Sequence, residues 1–371
     1  MRACAEAVLL YPVYALLMAD AGLTTAEISS LFAIWSVVSF ACEIPAGALA
    51  DVWSRKRLYA IGELTTATGF TLWLIWPSYP GFAICFALWG LGGAFSSGTL
   101  ESLVYDKLGD STAYAQVIGR ADTIALLGML AATLLAAPAY ATGGYLLVGI
   151  ISIATVALGG LLALRLPDYE GTEDDSDESS TGGYLTVLRD GLTEVLGKAG
   201  TVGRAVVVAA AVPGFSALDE YLPLLSRDKD ATTSTVPLLF ALTALSMAAG
   251  SALAGRVSPG SARPLSLAVS LAAVTLAAGA LIPHLAGMVL VSAAFGLLQF
   301  AMVHAESRLQ GEMSGRSRTT VLSVAGFGAE LCAVLLYAGF ALPLELPVLF
   351  ALAAIPLLAT ALLTARPHPA C

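Results

Sequence analysis

Apolar residues run along this chain in blocks of about twenty, with short polar breaks between them. An α-helix rises 1.5 Å per residue and needs about 20 mostly apolar residues to cross a ~30 Å hydrocarbon layer. Twelve such spans are predicted, at 4–21, 26–49, 58–77, 81–106, 115–138, 144–165, 204–225, 234–256, 264–282, 285–311, 318–341 and 344–364. The connections are short and rich in Gly or Pro: DAGLT after the first span, PSYPG after the third, YATGG after the fifth, SPGSARP after the eighth. The long one, 166–203, opens with DYEGTEDDSDE, too polar to bury a core and expected to be disordered. It continues through Leu185, Leu188, Leu192, Val195 and Leu196 at helical spacing, which predicts a short amphipathic helix on the membrane surface. The expected organisation is a six-helix bundle over 1–165, a linker over 166–203, and a second six-helix bundle with a short tail over 204–371.

Composition agrees with a membrane-embedded chain. Of 371 residues, 57% are hydrophobic and 12% charged, against about 25% charged in soluble proteins; the mean hydropathy is +0.82. The net charge of −9 is local, because 168–178 holds seven acidic residues and no basic one. Placing the N-terminus in the cytoplasm puts 16 of the 18 Lys and Arg residues on the inner side and leaves Arg227 and Lys229 outside, as the positive-inside rule requires. Both termini and the linker are then cytoplasmic, and the first span is read as a retained helix rather than a cleaved signal. Trp73, Trp76 and Tyr79 are expected to form an interfacial belt at the outer end of the third span. The five cysteines, Cys4, Cys42, Cys85, Cys332 and Cys371, have neither metal-ligand spacing nor a disulfide pattern. No phosphate loop, H-E-x-x-H or G-x-S-x-G motif is present, and no basic patch interleaved with aromatics. The sequence therefore points away from an enzyme, a cofactor, a resident metal and a nucleic-acid partner.

The two halves echo each other. GALADVW at 47–53 aligns with SALAGRV at 251–257, and TLESLVYD at 99–106 with HAESRLQG at 304–311, at offsets of 204 and 205. One register relating both pairs is the mark of parallel six-span repeats. The loop GALADVWSRKR at 47–57 resembles the signature loop of the major facilitator superfamily, G-x-L-a-D-r-x-G-R-r/k. Gly47, Leu49, Asp51, Arg55 and Lys56 match it; Val52 and Ser54 depart from it. The resemblance extends to the layout of the whole chain. It implies an all-α polytopic membrane protein of twelve transmembrane helices in two pseudo-symmetric bundles, in a bacterial-type inner membrane. It also implies secondary transport of a small molecule by alternating access, by a monomer, without naming the substrate. From it follow a cytoplasmic gate of Gly47, Asp51, Arg55, Lys56 and Asp106, and a cavity lined by spans 1, 4, 7 and 10, with Tyr11, Tyr14, Phe215, Tyr221, Gln299 and Phe300 as candidates. Span 5 lacks the Gly-Pro-x-x-Gly-Gly pattern of many exporters in the family.

Charges inside spans are candidate functional groups, because an unpaired one costs several kcal/mol in hydrocarbon. They are Glu43, Glu63, Glu101, Arg120 and Asp122 in the first half, and Asp219, Glu220, His304, Glu306, Arg308 and Glu330 in the second. On a helical wheel Glu101 shares a face with Gly90, Ala94, Ser97, Gly98 and Tyr105, and Arg120 on the next span is its expected counter-ion. Glu306 is its repeat-related partner, and His304, four residues before Arg308, is either locally paired near the inner surface or a candidate proton carrier. Glu330 lies ~18 Å into its span with no base at i±3 or i±4. Asp219 and Glu220, being adjacent, are expected to point about 100° apart. The excess of carboxylates over bases favours proton coupling. Structural ion pairs in an uncoupled facilitator or an exporter are the alternative, and a transport-dead relative acting as a receptor or partner is a second.

Overall fold

The computed structural model describes residues 1–100, 103–104, 111–166, 201–257, 262–312 and 318–365. The described secondary structure is helical: α1 (Arg2–Glu6), α2 (Tyr14–Asp20), α3 (Thr25–Val52), α4 (Arg55–Ile75), α5 (Tyr79–Ser96), α6 (Ser111–Ala163), α7 (Thr201–Gly214), a 3₁₀ stretch (Phe215–Tyr221), α8 (Leu222–Asp228), α9 (Val236–Ala254), α10 (Ala262–Leu281), α11 (Ala286–Glu312), α12 (Arg318–Phe340) and α13 (Leu346–Ala365). Eight helices among the described residues are long and apolar enough to cross a membrane. The one at Gln116–Ala163 turns back at Gly144, whose φ is +59°, and so supplies two spans. With the shorter apolar helix Val324–Phe340, with α4, and with the divided first span, twelve are reached.

The chain divides into two compact units, Met1–Thr181 with Thr233–Leu238, and Gly182–Thr232 with Leu239–Cys371. Inside the first, α5 packs on α3 and α4, and α6 on α1 and α4. Inside the second, α10 packs on α11 and α13, and α7 on α11 and α12. Spans 3–4 and 3–6 of the first unit thus recur as spans 9–10 and 9–12 of the second. Small residues permit the closest approaches. A β-carbon on Gly90 would lie 2.9 Å from the Trp35 carbonyl oxygen, and one on Gly250 only 1.9 Å from that of Gly296, as expected where helices associate in lipid by backbone contact. Leu126, Leu127, Leu146, Leu267, Leu281 and Leu362 are exposed, an outer surface suited to acyl chains rather than to water.

Local chemistry sets the helix ends. Thr24 and Glu27 form a capping box at α3: the Thr24 hydroxyl accepts from the Glu27 N–H at 3.2 Å, and the Glu27 carboxylate accepts from the Thr24 N–H at 2.8 Å. Pro80 and Pro223 occupy first-turn positions where no N–H is needed. Lys229, 2% exposed, donates its ammonium to the carbonyls of Ala280 (2.7 Å) and Ile282 and so closes the C-terminal end of α10. Burial draws that ammonium below the ordinary lysine range, and Asp228 opposes the shift.

Three expectations change. Trp73 does not belong to an interfacial belt: it is fully buried among aromatic rings, while Trp76 is 48% exposed. Span 4 is not one unbroken helix to residue 106, because α5 stops at Ser96 and Gly98 has φ +67°; a helical wheel carried from Gly90 through Glu101 loses its phase there. Asp219 and Glu220 lie in a 3₁₀ stretch, so successive side chains step about 120°, not 100°. The linker residues 167–200, with their expected amphipathic helix, lie outside the described residues.

Candidate functional site

The first span is interrupted. Between α1 and α2 the chain runs through Ala7–Val13 in turns, with Ala7 at φ −81°, ψ 59° and Val13 at φ −132°, ψ −7°. Pro12 accounts for the break, because it lacks an N–H and its ring clashes with the preceding turn. Freed backbone groups are costly in a membrane unless other side chains meet them. Here α6 meets them: the Leu10 N–H donates to Ser152 Oγ (3.1 Å), and Thr155 Oγ1 donates to the Ala7 carbonyl (3.1 Å). The first span of the second unit is interrupted too. Past Pro213 and Gly214 it tightens into the 3₁₀ stretch, and Ser216 Oγ donates to the Pro213 carbonyl at 2.6 Å. A β-carbon on Gly214 would lie 2.4 Å from that of Cys332, so this break packs tightly on α12. Paired interruptions in corresponding spans of two repeats are the best sequence-level pointer to a transporter's binding region.

Beside the first break is a polar cavity of about 310 Å³, lined among others by Arg2, Glu6, Tyr59, Glu63, Ser96, Ser97 and Gly98. Glu63, on α4, is 6% exposed. Its Oε1 accepts from Ser96 Oγ at 3.1 Å, and the Tyr59 hydroxyl also donates to it. Arg2 Nε lies 3.0 Å from Asp122 Oδ1, joining α1 to α6. Sequence reasoning noted Glu63 and Asp122 as charges within spans but did not bring them together, and it passed over Glu6 and Arg2. The available signal was Tyr59, Glu63 and Thr66 on one face of α4, all of them buried in the bundle.

An aromatic cluster fills the adjoining space. Tyr14 stacks on Trp73 at 5.3 Å and 11°, and Phe70 on Trp73 at 5.0 Å and 26°, with Phe32 and Phe86 packed edge-on. Tyr14 Oη and Trp73 Nε1 are buried without a hydrogen-bond partner among the described residues. Tyr11, Trp35 and Trp89 form the half-buried rim, with Tyr11 stacked on Trp89 at 5.6 Å and 16°, and Trp35 at 5.3 Å from Trp89.

In the second unit, Tyr221 is buried against Phe340 (4.3 Å between centroids) and Tyr337 (6.3 Å). Tyr337 lies within electrostatic reach of Glu220, Asp219 and Glu330. Glu330, on α12, is exposed. Phe215 is buried at the start of that break, and Gln299 is half-buried. His304 is buried and stacks on Phe300 at 5.6 Å and 12°, whereas Glu306 is exposed.

Lys56 Nζ donates to the Leu166 carbonyl at 3.0 Å, just past the end of α6, and Arg55 opens α4 half-buried. Gly47 stands in open space on α3. Glu101 and Asp106 lie outside the described residues, as does the side chain of Asp51; Arg120 is exposed on α6.

The description Major Facilitator Superfamily belongs to a family profile that matches residues 3–335. Solved structures agree over nearly the full length. A nucleoside transporter, NupG, is 14% identical, with a TM-score of 0.76 over 98% of this chain and 95% of its own. A bacterial homolog of the human lysosomal transporter Spinster is 15% identical, with a TM-score of 0.69 over 98% and 92%. A POT family peptide transporter is 17% identical, with a TM-score of 0.68 over 100% and 96%. A comparison with curated proteins returned no match. Two six-span units with matching packing, a broken first span in each, and a family profile spanning most of the sequence lead to one conclusion: the chain belongs to the major facilitator superfamily.

Proposed function

We propose that this transporter moves a small organic solute across a plasma membrane by alternating access and that protons drive it. The observation that carries the reading is Glu63, a carboxyl shut away from lipid and bulk water yet lining a polar cavity beside an interrupted span. A carboxyl so placed is tolerated only when neutral or matched by a cation. Its hydrogen-bond partners, Ser96 and Tyr59, are neutral donors, which leaves a proton as the exchangeable charge. Glu330, Asp219 and Glu220 are the corresponding candidates in the second unit, with His304 and Glu306; Glu101 with Arg120 remains a candidate from sequence. The basic residues orient both termini toward the cytoplasm, where Asp51, Arg55, Lys56 and Asp106 form the gate of a monomer.

Purified protein in proteoliposomes tests this. The solute panel is radiolabelled nucleosides, short peptides and organic amines, starting from the solutes named for the structural neighbours. The intact chain is expected to accumulate at least one solute under a pH gradient. Glu63→Gln is expected to lower gradient-driven accumulation about tenfold while retaining exchange of that solute. Equilibration and exchange without accumulation, indifferent to the gradient, would identify a facilitator. Absence of both accumulation and exchange across the panel, from protein with an intact melting transition, would favour a transport-dead relative.

A further inference from the structure

The aromatic rim and the polar cavity are two ends of one surface. Trp89 and Gly93 stand one turn apart on one face of α5 and Ser97 caps its end; Gly93 and Ser97 line the cavity and Trp89 forms the rim. On the facing segment, Arg2 and Glu6 line the same cavity and Tyr11 stacks on Trp89. From Trp89 the cavity begins about 6 Å away, at Gly93, and continues about 12 Å away, at Ser97, at 1.5 Å per residue.

The two ends differ in chemistry. The rim is built of two indoles and a phenol, half-buried and carried by three separate segments. Behind it, Tyr14 Oη and Trp73 Nε1 are polar atoms left without partners among the described residues, and unmet buried donors of this kind call for an explanation. The cavity end is acidic. Among the described residues around it, Arg2 stands against three carboxylates, Glu6, Glu63 and Asp122. With Glu63 holding its proton, Glu6 and Asp122 still outnumber Arg2 by one negative charge. Tyr11 sits in the non-helical stretch beside Pro12.

We infer that this surface binds a planar aromatic ring carrying an ammonium group about 6–12 Å from it, the ring on Trp89 and Tyr11 and the cation toward Glu6 and Glu63. Indole faces attract flat rings by stacking and cations through their quadrupole, and the unmatched negative charge selects an amine over a carboxylate. The inference deepens the transport reading by naming a substrate class.

Isothermal titration of the full-length protein in detergent tests it with three probes: tryptamine, indole-3-propionate and cyclohexylethylamine. Tryptamine is expected to bind at least about tenfold more tightly than either of the others. Trp89→Leu is expected to weaken tryptamine about tenfold, Trp89→Phe no more than about threefold, and Glu63→Gln about fivefold. Thermal melting of each variant reports folding, and the Phe variant keeps the ring test valid if the Leu variant unfolds. Equal affinity for cyclohexylethylamine, tighter binding of indole-3-propionate, no binding of tryptamine, or a Trp89→Phe variant that loses as much as Trp89→Leu would each overturn the inference. Because the readout is binding without a gradient, failure of proton coupling would leave this result intact, and loss of binding would leave the coupling test standing.

Discussion

At the scale of single residues, the cavity depends on one backbone conformation. Gly98 ends the turn after α5 with φ +67° and has open space around its α-carbon. A substitution there meets no clash, so its cost is the left-handed backbone alone, about 1 kcal/mol for most residues and less for Asn. Gly98→Ala is expected to lower stability by about 1 kcal/mol and Gly98→Asn by less, read as melting of the detergent-purified protein; identical melting of all three forms would mean that the turn is not kept. The SSG at 96–98 was legible as small residues but not as a helix end, since neither Ser nor Gly forbids a helix as Pro does. Glu63 shows the complementary limit. Its residue type marked it as a candidate, but its selection over Glu43 rests on Ser96 and Tyr59 beside it.

At the scale of elements, the first span of each unit is divided, and the division is held by hydrogen bonds from far along the chain. Ser152 and Thr155 meet Leu10 and Ala7 across more than 140 residues. Ser152→Ala and Thr155→Val are each expected to cost roughly 1 kcal/mol, the usual range for polar contacts between membrane helices. Because the two act on one break, the double variant should depart from additivity. Melting temperatures give the cost, and faster hydrogen exchange over residues 7–13 would locate it; unchanged exchange there would count against the role. Hydropathy predicted an unbroken span over 4–21 because a break does not alter apolar content. Pro12 and Pro213 were visible, but a proline alone does not reveal whether a helix kinks or ends. That depends on whether a neighbour supplies partners for the released N–H and C=O groups.

At the scale of the molecule, orientation is the most direct test. On a cysteine-free background, Arg57→Cys and Glu345→Cys place thiols at exposed positions on opposite predicted sides. In intact cells a membrane-impermeant maleimide is expected to label position 345 and to reach position 57 only after permeabilisation; the reverse pattern would invert the topology. The sequence by itself determined the membrane class, the twelve spans, the six-plus-six repeat and the family, because apolar length, basic asymmetry and a signature loop are local properties that need no partner. Only the tertiary structure decided which charges meet, where spans 1, 4 and 7 stop being regular helices, and that Trp73 is core rather than interface. Arg2 finds Asp122, Ser96 finds Glu63, and Lys229 finds the end of α10. These are contacts between residues 33 to 120 positions apart, set by how helices pack and by the need to satisfy every polar group that lipid cannot.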